Sequence, residues 1–94
     1  MENNKKWYHL SAQLGHQGSG RSLPVSLYVW ASSPLDVLTK YRHMGGLKKR
    51  KIPNVVTLSS EESKELEEII LQDGLSLSEA KKKWYTNSEH YKWW

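Results

Sequence analysis

The chain has 94 residues, with 14 Lys and Arg against 10 Asp and Glu, a formal charge of +4 and a sequence pI near 9.4. That length suits one domain spanning 1–94 with a single core, and the mildly basic balance is compatible with nucleic acid or an acidic surface as partner. There is no cysteine, so disulfides, thiol catalysis and thiolate zinc sites are excluded.

The opening residues Met1 to Lys6, expected to be flexible, lead into no apolar segment of the signal-peptide kind. No apolar run approaches the roughly 20 residues of a membrane span. A cytoplasmic protein without a membrane partner is expected. Residues 7–14 alternate as a strand does, with Tyr8, Leu10, Ala12 and Leu14 on one face and Trp7, His9, Ser11 and Gln13 on the other. The glycine-rich stretch 15–21 reads as a hairpin loop, since it lacks the Gly-Lys-Ser/Thr ending and the following helix of a phosphate cradle. Residues 23–31 repeat the alternation: Leu23, Val25, Leu27, Val29 and Ala31 oppose Pro24, Ser26, Tyr28 and Trp30.

Ser32 and Ser33 then offer an N-cap and Pro34 suits a first helical turn. The helix is expected to run to Met44 and stop at Gly45-Gly46. Val37, Leu38, Tyr41 and Met44 form its apolar stripe, with Leu35 where it begins, and Asp36, Thr39, Lys40 and His43 point elsewhere. Four cations follow, Lys48, Lys49, Arg50 and Lys51. They read either as a solvated loop that protects a sheet edge or as a phosphate clamp. Residues 52–58 read as a third strand, near an edge because of Pro53. The long connection before it allows the second and third strands to be parallel.

Ser59 and Glu62 match a capping box and open a second helix, with Leu66, Ile69 and Ile70 as its buried stripe and Gly74 as its stop. Ser76 and Glu79 repeat the pattern ahead of a short helix through Ala80 and Trp84. Residues 86–94 form a tail or a docked turn, because Trp93 and Trp94 are costly to leave in water. Apolar helix, Gly turn, Leu-Ser and capped helix over residues 69–84 resemble the helix-turn-helix unit of DNA-binding proteins. Ile70 stands where that unit has a small residue and Asp73 where it has an apolar one. The resemblance implies that Lys81, Lys82 and Lys83 meet phosphates and Ser78 lies near base edges. The plainer expectation is an αα-hairpin packed on the sheet with those lysines outside.

No catalytic constellation emerges. His9, His16, His43 and His90 have no metal-ligand spacing, and Asp36 and Asp73 sit at helix ends. Five Trp, five Tyr and no Phe give every large ring a polar handle, which suits sites half buried and half in contact with water or a partner. The fold expected is a small α+β domain, β-β-α-β-α-α, with a three-stranded sheet and its helices packed on one face. The opposite face then shows Trp7, Tyr28 and Trp30, open for base stacking, covered by the tail, or paired in a homodimer. The function expected is non-enzymatic, without metal or cofactor. It is the binding of nucleic acid or a nucleoprotein complex by Lys48, Lys49, Arg50, Lys51, Lys81, Lys82 and Lys83, with Trp7, Tyr28 and Trp30 adding contact. The alternative is a protein-binding module: a phage-type inhibitor whose acidic helix (residues 61–68) mimics nucleic acid and blocks a host enzyme, or a homodimeric adaptor.

Overall fold

The computed structural model describes residues 5–14, 23–44 and 53–86. They form β1 (Lys6–Leu14), β2 (Leu23–Ala31), α1 (Pro34–Arg42), β3 (Asn54–Thr57), α2 (Ser60–Gln72) and α3 (Leu77–Lys82). This is the expected α+β order. The sheet is antiparallel, with strand order β2-β1-β3. β1 and β2 pair along their full length, Trp7 opposite Trp30 and Leu10 opposite Leu27. β3 pairs with the other side of β1, Leu10 opposite Val55. β2 and β3 therefore run the same way on opposite edges.

The period-two alternation sorts residues onto two faces, and both faces are covered. Tyr8, Leu10, Ala12, Val25, Leu27, Val29 and Ala31 pack with Val37, Tyr41 and Met44 of the α1 segment. On the other face Trp7 packs with Leu66 and Ile70 of α2, Ala80 of α3 and Tyr85. The expected placement of all helices on one face is thus corrected. Trp7 is as apolar in its ring as Leu10, and full burial of each needs a cover on its own side of the strand. The αα-hairpin α2–α3 is that cover.

Local chemistry explains the helix ends. The Asp36 N–H donates to the Ser33 hydroxyl at 3.1 Å, the Ser32 N–H donates to the Asp36 carboxylate, and Pro34 fills the first turn. α1 ends at Arg42, before Met44, and Leu35 is exposed rather than packed. The Ser59–Glu62 capping box forms in both directions, at 2.9 and 3.1 Å. Gly74 takes φ of 81°, with Gly74 N–H donating to Leu71 O and Leu75 N–H to Ile70 O. That is the left-handed Schellman stop, in which a side chain at position 74 would be strained. The second box does not form: the Ser76 hydroxyl meets that of Ser78 at 2.9 Å and caps nothing. In α2, Leu66 and Ile70 are buried while Ile69 faces outward.

After α3 the chain makes a single bridge to the outer edge of β2. The Tyr28 N–H donates to Tyr85 O at 2.7 Å and the Tyr85 N–H returns to Tyr28 O at 2.8 Å. The Thr86 hydroxyl donates to Ser26 O at 2.7 Å. Loop 15–21, Gly45-Gly46, the cations at 48–51 and the tail beyond Thr86 lie outside the described residues. No described helix is long and apolar enough to cross a membrane.

The caps yield a pH prediction. Hydrogen bonds from the Ser59 backbone and side chain lower the pKa of Glu62 below its ordinary 4.5. A carboxyl whose folded pKa is depressed stabilises the fold above its unfolded pKa, and that contribution is lost as pH falls through the folded value. Thermal melts of Glu62→Gln should therefore lose less stability than the parent between about pH 6 and pH 3, because Gln keeps the cap without titrating.

Candidate nucleic-acid interface

The aromatic face is not an open platform at its Trp end. Trp7 is 0% exposed, and its indole N–H donates to the Glu67 carboxylate at 3.0 Å. Trp30 meets Trp7 edge-on at 5.3 Å between ring centres and carries the Lys81 ammonium 4.2 Å above its own ring. Lys81 also lies 3.8 Å from the same Glu67 oxygen. Lys81 is thus drawn inward to hold the helical hairpin on the sheet, which corrects its expected place on a charged outer face. Tyr28 is half-buried between His9, at 5.2 Å, and Tyr85, at 6.2 Å. Burial and the Asp73 carboxylate, which accepts from the Tyr85 hydroxyl, push the Tyr85 pKa upward.

Over residues 69–84 the structure is the expected αα-hairpin. α3 has six residues, buries Ala80 against the sheet-facing cluster and leaves Ser78 exposed. Lys82 and Lys83 are exposed at its C-terminal end. They come beside Lys40 and His43 from the C-terminal end of α1, and the four surround a recess of about 210 Å³ whose other lining residues are Met44 and Trp84. Lys40 reaches across to Trp30 O at 2.7 Å with one of its three ammonium hydrogens. Among the described residues no carboxylate pairs with Lys40, His43, Lys82 or Lys83.

Helix dipoles favour cations at both C-terminal ends, so each of these residues has a local reason to be there. The convergence of two such ends on one recess is what concentrates the charge. Sequence reasoning set Lys40 and His43 aside as outward-facing helix residues. It placed Trp84 only as the last residue of a short helix. Their adjacency depends on the edge bridge at Tyr85, which no local pattern announces.

A larger recess of about 470 Å³ lies beside the start of α2, lined among others by Lys5, Lys6, Trp30, Ser60 and Glu67. Its charge is mixed, with Glu61 and Glu62 in the adjoining first turn. That balance does not select an anion. The described residues hold no group of three or more metal-ligating side chains.

Charge is unevenly divided along the chain. The described residues contain eight Lys and Arg and eight Asp and Glu, so they are neutral. The remaining six cations and two acids carry the whole +4, and four of those cations are Lys48, Lys49, Arg50 and Lys51. No family model, curated protein or solved structure matches this chain.

Glu67 should be the polar centre of the hairpin's attachment. Glu67→Leu leaves the buried Trp7 N–H without its acceptor and releases Lys81, and should cost about 1–3 kcal/mol in urea unfolding. Lys82→Ala, on the exposed side of the same helix, should change stability by less than about 0.5 kcal/mol.

Proposed function

We propose that this chain is a non-enzymatic binding protein that engages nucleic acid, alone or within a nucleoprotein complex, through the cations at one end of its fold. The observation that carries this reading is the gathering of Lys40, His43, Lys82 and Lys83 around one recess with no carboxylate partner among the described residues. The three lysines held together repel one another, and a polyanion relieves that repulsion while releasing its own counterions. The sequence adds Lys48, Lys49, Arg50 and Lys51 within seven residues of Met44. Trp7 is left out of the contact set because it is core, and Lys81 because it serves the hairpin.

A second reading rests on α2. Glu61, Glu65 and Glu68 recur at helical spacing on its exposed side, beside Ile69 and Leu71, which are 45% and 56% exposed. Such a row suits a basic protein surface, as in an inhibitor of the phage type that occupies a host enzyme's nucleic-acid groove.

The two readings separate in one titration. Binding to a random-sequence oligonucleotide should weaken by roughly fiftyfold (single strand) to a hundred-and-fiftyfold (duplex) between about 50 and 200 mM salt if four phosphates are neutralised. Charge reversal at Lys82 and Lys83 should abolish it, as should reversal at Lys49 and Arg50. Absence of binding at low salt to both single strands and duplexes would favour the α2 surface instead.

A further inference from the structure

We infer that the cationic recess between α1 and α3 holds its polyanion in a proton-dependent way, with His43 as a fourth cation that acid supplies and base removes. The inference rests on the cationic-end reading above and adds its regulation. Lys40, Lys82 and Lys83 stay charged throughout the neutral range, whereas an imidazole is the side chain whose ordinary titration falls between about pH 5 and 8. His43 is exposed at the C-terminal cap of α1, where its backbone N–H donates to Lys40 O and Tyr41 O. The backbone thus fixes the residue at the edge of the recess, and its ring is one of the lining groups.

The charged groups around it set the sign of the effect. Lys40 and Arg42 belong to the last turn of α1, and Lys82 and Lys83 come from the end of α3. The acids of the same two helices, Asp36 and Glu79, stand in the first turns, and Asp36 accepts from the Ser32 N–H. Among the described residues no carboxylate pairs with His43. A protonated imidazole there is answered within its own helix only by the negative end of the dipole. A phosphate drawn in by the lysines supplies the missing anion, and the proton gives that phosphate one more charged N–H donor. Binding and protonation therefore favour each other, by the reciprocity that governs any two linked ligands.

The test uses random-sequence oligonucleotides, single-stranded and duplex, made without terminal phosphates so that the ligand itself does not titrate. Anisotropy of a pH-insensitive dye on the strand gives the affinity at about pH 5.5 and about pH 8 over a series of salt concentrations. The parent should bind roughly two- to fivefold tighter at the lower pH. Its salt slope should also steepen there by about 0.7 for the single strand or about 0.9 for the duplex, the change that one added phosphate contact brings. His43→Gln keeps an N–H donor without the titration and should hold the high-pH affinity and slope at both pH values. His43→Lys keeps the charge and should hold the low-pH values at both. Thermal melting checks that each variant folds. If either does not, calorimetry of the parent in two buffers of different ionisation heat reads the proton directly, and binding near pH 6.5 should take protons up.

Equal affinity and slope at the two pH values, or binding without proton uptake, would overturn the inference and leave nucleic-acid binding standing. A pH dependence of parental size in His43→Gln would also overturn it, because the proton would then belong to another group. His9, the other described histidine, lies against Tyr28 on the sheet. Failure to bind either form at both pH values would remove the inference together with the reading it rests on.

Discussion

Burial of Trp7 obliges its indole N–H to find an acceptor inside the fold, and most of the second face follows from that need. The ring is as inaccessible as any in the molecule, and a buried unpaired donor costs about as much as a good hydrogen bond returns. Glu67 supplies the acceptor from the middle of α2. A half-buried carboxylate in turn requires a positive neighbour, which Lys81 provides from α3. The same ammonium lies over Trp30, the cross-strand partner of Trp7. One set of four side chains thereby joins β1, β2, α2 and α3. Their apolar neighbours Leu66, Ile70 and Ala80 give the non-directional part of the attachment.

β1 stands at the centre because both of its hydrogen-bonding edges are used and both of its faces are packed at the Trp7–Leu10 end. The outer edge of β2 is partly closed by Tyr85, whose ring enters the α2–α3 side while its neighbour Trp84 packs toward α1. That alternation is what a residue pair in extended backbone does. The Tyr85 hydroxyl then reaches Asp73 at 2.5 Å. An aspartate at a helix C-terminal end opposes the dipole, and this hydrogen bond gives it a compensating role. Both aspartates of the chain are thus occupied structurally, Asp36 at the start of α1 and Asp73 at the end of α2.

Much of this was legible locally. Period-two alternation identifies the nine-residue strands, and Ser33, Ser59 and Gly74 mark helix ends by the chemistry that forms there. Which side of the sheet each helix takes was not legible. A strand's period defines two faces without saying which later segment covers either, and Trp7, Tyr28 and Trp30 look alike whether they face water or a helix. Their polar handles suggested a surface, whereas Glu67 accepts from the Trp7 indole and Lys81 covers the Trp30 ring, both from far away in the chain. Ser76 failed as a cap for a related reason. Its hydroxyl found a closer partner in Ser78, and a matching pattern of residue types cannot exclude such competition. The site had the weakest local signal, since Lys40, His43, Lys82, Lys83 and Trp84 meet only through the edge bridge.

The division of charge gives the functional reading its physical shape. A fold whose described residues balance eight cations with eight acids has no long-range pull of its own on a polyanion. Attraction depends on how those charges are distributed, and they are distributed by helix polarity. Glu61 and Glu62 lie in the positive first turn of α2, and cations finish α1 and α3. The dipole preferences that stabilise each helix separately also separate the signs in space. Because α1 and α3 deliver their C-terminal ends to the same edge of β2, two small local preferences become one cationic surface. A residue pattern chosen for helix stability would produce that segregation whatever the ligand.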